Sequence, residues 1–492
     1  MKPTSVLSLS ALAALASALV PIEIRGNKFV KPGNSSSEDE IFQVIGIDYQ
    51  PGGASGYSDS ASSDALSDVD ACLRDAYILQ KLGVNTIRVY TLSPWINHDE
   101  CMSILNGAGI YVILDVNTPL GGQSLNRDDP KGSYNAGYVN RVFGFLDAFM
   151  GYPNVLGFFS GNEVFNNKEN AETVPPYIKA LQRDMKAYIS NHGDRDIPVG
   201  YSAADDTTLG IAGWQYLECG SEDVRSDFYG LNTYQWCGGA TWDNSGYGTI
   251  NSSYADSAIP LIFSEYGCNK VRPRTFDEVD QGLYGGLKDT FSGGLIYEYS
   301  EEANNYGLVE IDSDGNIELK DDYYNLQKAY ANISKPSGSA SSLGSEPTIK
   351  QCNSTLIKKT DQSFNSTTDL PPSPVEDTIK SGSGNNNVGK IVDIPSTLKT
   401  NYTIKDKDGN EIKDPTVVIN PQNLFNGHPK KRAAKPDSSS SSSSSSASEP
   451  SATSAAASES ASASSTGKKK NGAVAQTVSM VAVLGGVAVA LL

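Results

Sequence analysis

Between residues 41 and 299 the chain alternates between two hydrophobic periods. Short runs of β-branched and aromatic residues give way to longer stretches in which apolar positions recur at helical spacing. Eight such runs predict strands: FQVIGIDY (42–49), NTIRVY (85–90), IYVILDV (110–116), VLGFFS (155–160), IPVGYSA (197–203), DFYGLNTY (227–234), PLIFSEY (260–266) and GGLIYEY (293–299). Strand and helix in alternation predict repeated βα units, because parallel neighbours need a crossover and a helix usually supplies it. Eight units in about 250 residues match a closed (β/α)8 TIM barrel, an α/β fold that outranks an open doubly wound sheet.

The pattern stops at both ends. Lys2 precedes the apolar LSLSALAALASALV, and the small triplet Ala16, Ser17, Ala18 within it predicts a secretory signal over residues 1–18. The catalytic-sized unit is then 19–335. Beyond it the composition turns to Ser, Thr, Pro, Asn and Gly. Residues 336–436 form a C-terminal segment with a small β stretch predicted within 388–412, and 437–470 read as a disordered Ser/Ala-rich stalk with no apolar period to bury. Residues 471–492 begin with the small Asn471, Gly472 and Ala473 after three lysines, and end apolar with no charge behind them. A removed lipid-anchor (GPI) signal with Asn471 as the attachment point suits this better than a spanning helix, which needs about 20 apolar residues.

Secretion changes the reading of the cysteines. The six, Cys72, Cys101, Cys219, Cys237, Cys268 and Cys352, allow three disulfides, in any of about 15 pairings. No CxxC occurs and the three histidines are far apart, so no metal site is expected. The formal charge of −18 argues against a nucleic-acid partner, which requires a basic face. N-x-S/T sequons at Asn34, Asn251, Asn332, Asn353, Asn365 and Asn401 fit a secreted surface protein.

In FFSGNEVFNN (158–167) the apolar run halts at Gly161, Asn162 and Glu163. Barrel chemistry sits where strands emerge at their C-terminal ends. Glu163 ends the fourth predicted strand and Glu265, in FSEYG, the seventh, so closure of the barrel brings two carboxyl groups to one mouth. Two facing carboxyls, about 5 Å apart, are the machinery of a retaining glycosidase. Such a pair is tuned oppositely. Arg88 and the Tyr234 hydroxyl are expected to hold a nucleophilic carboxylate at 265, leaving Glu163 as acid and then base, with Asn162 beside it for a sugar 2-hydroxyl. The plainer alternative has Asn162 and Glu163 capping the next helix and Glu265 pairing with Arg88.

The stretches GIDYQPGG, NTIRVYTLSP, YVILDVNTP, FFSGNE, DFYGLNTYQWCG, FSEYGCN and GLIYEYSEEANNYGLV, in order through residues 46–309, resemble the fungal β-1,3-glucanosyltransferases of glycoside hydrolase family 72. The resemblance implies a cofactor-free retaining enzyme with Glu163 as acid/base and Glu265 as nucleophile. It also implies sugar contacts at Gln50, Tyr90, Asp115, Asn162, Asn232, Tyr234, Tyr297 and Tyr306, and disulfides Cys72 to Cys101, Cys219 to Cys352 and Cys237 to Cys268. Its partners would be β-1,3-glucan donor and acceptor chains and, through the lipid anchor, the plasma membrane. A monomer at the cell surface and wall is the expected form. The chain departs from part of the family, since only Cys352 lies beyond residue 268 and a cysteine-rich glucan-binding module is therefore missing. The alternatives are a hydrolytic endo-β-1,3-glucanase and a non-catalytic anchored binder of wall glucan.

Overall fold

The computed structural model describes residues 19–33, 37–344 and 348–419. It opens with three strands that the alternation does not announce: β1 (Glu23–Arg25), β2 (Lys28–Lys31) and β3 (Glu40–Phe42), antiparallel in the order β1-β2-β3. Each is too short to show a period of its own. Their buried Phe29 and Phe42 meet Phe228 and Tyr111 with ring centroids 5.8 and 5.1 Å apart. Those two partners are the first residues of barrel strands, so the hairpin plugs the N-terminal end of the cylinder with an apolar cluster that includes Leu19, Ile22 and Val44. A mouth is left only at the other end.

All eight predicted strands form: β4 (Val44–Asp48), β5 (Thr86–Val89), β6 (Tyr111–Asp115), β7 (Val155–Asn162), β8 (Val199–Ala203), β9 (Phe228–Asn232), β10 (Leu261–Tyr266) and β11 (Gly293–Ile296). They close in sequence order, every pair parallel, with β11 returning to β4. Nearly every residue in them is buried, as expected of a parallel sheet covered on both faces. Where β9 and β10 cross, Gly230 leaves the room that Ser264 occupies: a Cβ there would come within 2.5 Å of the serine hydroxyl.

After β11 the chain makes β12 (Val309–Ile311), β13 (Ile317–Leu319) and the helix Asp321–Ala331. The small β stretch expected within 388–412 narrows to β14 (Ile404–Lys405), which pairs in parallel with β13. From Cys352 onward the segment runs back around the barrel, meeting its outer helices in reverse order. Phe364 packs on Tyr216, Asn191 and His192 donate to or meet the Ile379 carbonyl, and Ser383 contacts Asp147. Asn385 then reaches the Gly144 carbonyl, the Val392 amide reaches Ser103, and Asn401 holds Asp70. The strap follows no hydrophobic period: buried apolar anchors such as Ile357, Phe364, Val375 and Val417 are scattered among side-chain amides and backbone groups that make its hydrogen bonds. The described residues belong to one compact unit. The signal, the stalk, Asn34 and Asn471 lie outside them.

Three disulfides are present, Cys72–Cys101, Cys219–Cys352 and Cys237–Cys268, the pairing that the resemblance implied. Among the described residues no helix is long and apolar enough to cross a membrane.

Candidate active site

Strand β7 stays paired with β8 to its last residue, Asn162, and the backbone at the next residue, Glu163, takes a left-handed conformation, φ +49°. That conformation is uncommon for a residue with a side chain, costs about 1–3 kcal/mol and persists only where its surroundings impose it. Here they do. The Glu163 amide donates to the Ser202 carbonyl at 2.9 Å, and its own carbonyl accepts from Arg127 at 2.8 Å. Its carboxyl Oε1 accepts from the Asn232 side-chain amide at 2.8 Å.

Glu265 is the next-to-last residue of β10 and is buried, with 8% of its surface exposed. Three donors converge on its carboxyl: the hydroxyls of Tyr90 and Tyr234 at 3.0 and 2.9 Å, and the Arg88 guanidinium at 3.3 Å. The two carboxyls share one neighbour. Asn232 stands directly opposite Glu265 in the β9–β10 ladder while its side chain holds Glu163.

The electrostatics depart from the expectation of a nucleophile held fully ionised. Burial pushes Glu265 up to about 7; Arg88 opposes that rise, Glu163 adds to it, and the Tyr234 and Tyr90 hydroxyls pull it back. Desolvation wins because the closed, plugged barrel removes water from one side of the carboxyl.

Other predicted site residues also gather here, some in altered roles. Tyr90, Tyr234, Tyr297 and Tyr306 form one aromatic cluster with centroids 5.2–6.5 Å apart. Tyr90, expected to touch sugar, directs its hydroxyl to Glu265. Asp115 was expected to touch sugar too, yet it is 3% exposed and both its oxygens are taken by Arg88, at 3.0 and 2.8 Å. Asn232 is wholly buried, its amide held by Glu163 and Asn162 and its oxygen by Ser202 and Ser264, so its geometry is that of a scaffold for the acid. Asn162 gives its oxygen to Ser202 at 2.7 Å, and its amide nitrogen makes no bond to a described residue. The oxygen of Gln50 accepts from the Thr91 amide, while its buried nitrogen is unpartnered. The helix-capping alternative does not hold, since the short helix Lys168–Ala171 is capped by Asn167.

Sequence reasoning passes over Ser202, Ser264, Arg127 and Arg274. Ser202 and Ser264 link Asn162 and Asn232 into one network, and their only signal is a small polar residue inside an apolar strand. Arg274 is buried, paired with Asp322 at 2.6 Å, and donates to the carbonyls of Tyr297 and Tyr306. It therefore sets the backbone that carries two of the clustered rings. Cys237 and Cys268, each three residues beyond a site residue, tie the exits of β9 and β10 together. Of the sequons, Asn332, Asn353 and Asn401 are exposed, and Asn251 and Asn365 are half-buried.

Comparison with known proteins gives a family and a substrate context. Residues 11–334 match the family model of glycoside hydrolase family 72, described as glucanosyltransferase. The chain is 51% identical over 431 residues to the probable 1,3-β-glucanosyltransferase GAS3 of Saccharomyces cerevisiae, covering 83% of this chain and 81% of that one. It is 49% identical over 393 residues to the 1,3-β-glucanosyltransferase gel2 of Aspergillus fumigatus, covering 79% and 80%. A crystal structure of a Saccharomyces cerevisiae Gas2p mutant in complex with laminaritetraose and laminaripentaose superposes with TM-score 0.64 at 37% identity, over 72% of this chain and 75% of that one.

Proposed function

This chain belongs to the glucanosyltransferases of glycoside hydrolase family 72, and from that premise we propose how its own residues carry the transfer. It is a β-1,3-glucanosyltransferase, acting on β-1,3-glucan. Glu265 attacks the anomeric carbon of an internal β-1,3 linkage. Glu163 gives its proton to the departing glycosidic oxygen, the reducing-end fragment leaves, and a glucanosyl ester on Glu265 remains. Glu163, now ionised, takes the proton of the 3-hydroxyl at the non-reducing end of a second glucan. That oxygen attacks the anomeric carbon, the Glu265 carboxylate leaves, and a β-1,3 bond is regenerated. The energy of the original linkage is kept in the ester, so no nucleotide sugar is needed.

The observation that carries this reading is the division of partners: Tyr90, Tyr234 and Arg88 on Glu265, and Asn232 on Glu163. Donors on the carboxylate favour the ionised form that attacks and the form that leaves again. Asn162, Gln50, Tyr297 and Tyr306 are the residues we assign to the sugar, the tyrosines by stacking on pyranose faces. The purified enzyme with end-reduced laminari-oligosaccharides tests it. Transfer yields products longer than the input and hydrolysis yields only shorter ones. Full transfer by Glu163→Gln or Glu265→Gln would overturn the assigned roles.

We further read the product as a monomer anchored on the outer face of the plasma membrane, at the cell wall, through Asn471, after removal of residues 1–18 and the tail beyond the anchor. Residues 437–470 act as its spacer, and the surface sequons carry N-glycans. Release of the enzyme from intact cells by a phosphatidylinositol-specific phospholipase tests the anchor. Retention by cells that release other anchored proteins would count against it.

A further inference from the structure

Three carboxyl groups surround one guanidinium beneath the mouth of the barrel. Asp115 accepts from Arg88 through both oxygens, and Glu265 Oε1 lies 3.3 Å from Nη1. Asp48 stands opposite Arg88 in the β4–β5 ladder, with Oδ1 3.9 Å from the same Nη1. It is wholly buried, and neither of its oxygens makes a hydrogen bond. Glu265 collects three donors and Asp115 two. Asp48 has a distant cation, which it shares, and faces the Tyr90 hydroxyl, whose hydrogen bond goes to Glu265.

With all three ionised, one positive charge would face three negative ones in a site closed to water. Three buried carboxylates around a single cation do not all ionise at ordinary pH, and the proton stays on the one with the weakest partners. The residues assigned to the transfer do not include Asp48, and it touches no reacting atom.

We propose that Asp48 is a positioning residue: it holds a proton through the catalytic cycle, so that Arg88 serves Glu265 and Asp115 alone and the Asp48–Glu265 pair carries one negative charge. The proposal rests on the reading of Glu265 as nucleophile. Its consequence falls on the second half of the reaction. When Glu265 leaves the ester as a carboxylate, an uncharged Asp48 presents no repulsion, and the guanidinium is still in place to receive it. An ionised Asp48 would draw Nη1 away and make Glu265 a poorer leaving group.

The groups that face Asp48 are Arg88 on β5, Tyr90 just beyond it, Asp115 on β6, Tyr234 just beyond β9, Glu265 on β10, Tyr297 just beyond β11 and Tyr330 on the helix Asp321–Ala331. Arg88 is the one cation among them. Burial raises Asp48 well above the carboxylate range, Arg88 pulls against it, and the Glu265 charge adds to the rise.

Infrared spectroscopy of the purified enzyme across a pH series reads the proton directly. The expected result is a protonated-carboxyl carbonyl band that persists above the acid limb of transfer activity in the wild type and is missing from Asp48→Asn. In Glu265→Gln, which keeps Asp48 and removes the competing charge, that band should titrate lower by about one unit or more, a tenfold change in proton affinity. A merely structural Asp48 would not respond to the change at 265. In Asp48→Asn the acid limb of transfer should stay within about 0.3 unit, because an amide mimics the protonated acid. Three results overturn the proposal: no band assignable to Asp48, a band that does not shift in Glu265→Gln, or an acid limb that falls by about a unit in Asp48→Asn, which would mean that an ionised Asp48 had been raising Glu265. If Asp48→Asn does not fold, the comparison of wild type with Glu265→Gln decides alone, and a band that does not shift refutes it. The activity of Glu265→Gln judges the nucleophile separately, so the two readings can fail independently.

Discussion

The side-chain amide of Asn232 reaches Glu163 at 2.8 Å from a strand position paired with Glu265. One residue thus sets the acid relative to the nucleophile. Asn232→Ala frees the Glu163 carboxyl and leaves Ser202 and Ser264 without a shared acceptor. We expect kcat to fall about 10–100-fold with KM little changed, since a misplacement near 1 Å costs about that much. Steady-state transfer kinetics check it, and a loss confined to KM would place Asn232 in sugar binding instead.

Tyr90 and Tyr234 each donate one hydrogen bond to the Glu265 carboxyl. Removing a donor from the ionised form raises its pKa, and attack requires that form. Tyr90→Phe and Tyr234→Phe should each move the acid limb of activity upward, by about one unit, because a hydrogen bond to a charged group contributes about 1.5 kcal/mol or more. Activity at low pH falls first, and the pH profile of kcat/KM shows it. A limb that does not move in either variant would remove these hydroxyls from the charge balance of Glu265.

The raised Glu265 also has a consequence for stability. Its unfolded value is near 4.5 and its folded value about 7, so between these pH values the folded state keeps a proton that the unfolded state has lost. The stability contributed by this group is present below 4.5 and is lost as pH rises to about 7. Glu265→Gln cannot titrate. Relative to wild type it should gain about 1–3 kcal/mol between pH 4.5 and 8. Urea unfolding at the two pH values measures the gain, and parallel curves would show that the site stores no such cost.

Cys219–Cys352 joins the helix-bearing side of the barrel to the start of the strap across 133 residues. Replacing both cysteines by alanine should destabilise the protein by about 2–5 kcal/mol through the freed unfolded chain. Proteolysis should then cut first within residues 348–419, where the strap is held by side-chain hydrogen bonds and scattered apolar anchors. Cleavage elsewhere before the strap would mean that its hydrogen bonds alone suffice.

The eight barrel strands were legible because each is a local event: β-branched and aromatic residues in a run of four to eight predict a strand whatever surrounds them. The carboxyls at 163 and 265 and the hydroxyl of Tyr234 were legible for a related reason, since they stand at the ends of such runs, at the mouth end of the barrel; Tyr90, Tyr297 and Tyr306 came from the family resemblance. β1, β2 and β3 were not, being too short for a period. The strap was not, because its apolar anchors, Ile357, Phe364, Val375 and Val417 among them, are scattered between polar residues and follow no period.

The division within the site follows the same line. Residue types at strand ends were determined by sequence alone, and closure of the cylinder followed from their number. What Asn232, Asp115 and Asp48 do was decided by tertiary neighbours. Hydrogen-bond partners and proton affinities depend on which groups are brought together and on how much water is excluded around them, and neither quantity exists until the barrel has closed and its lower end has been plugged.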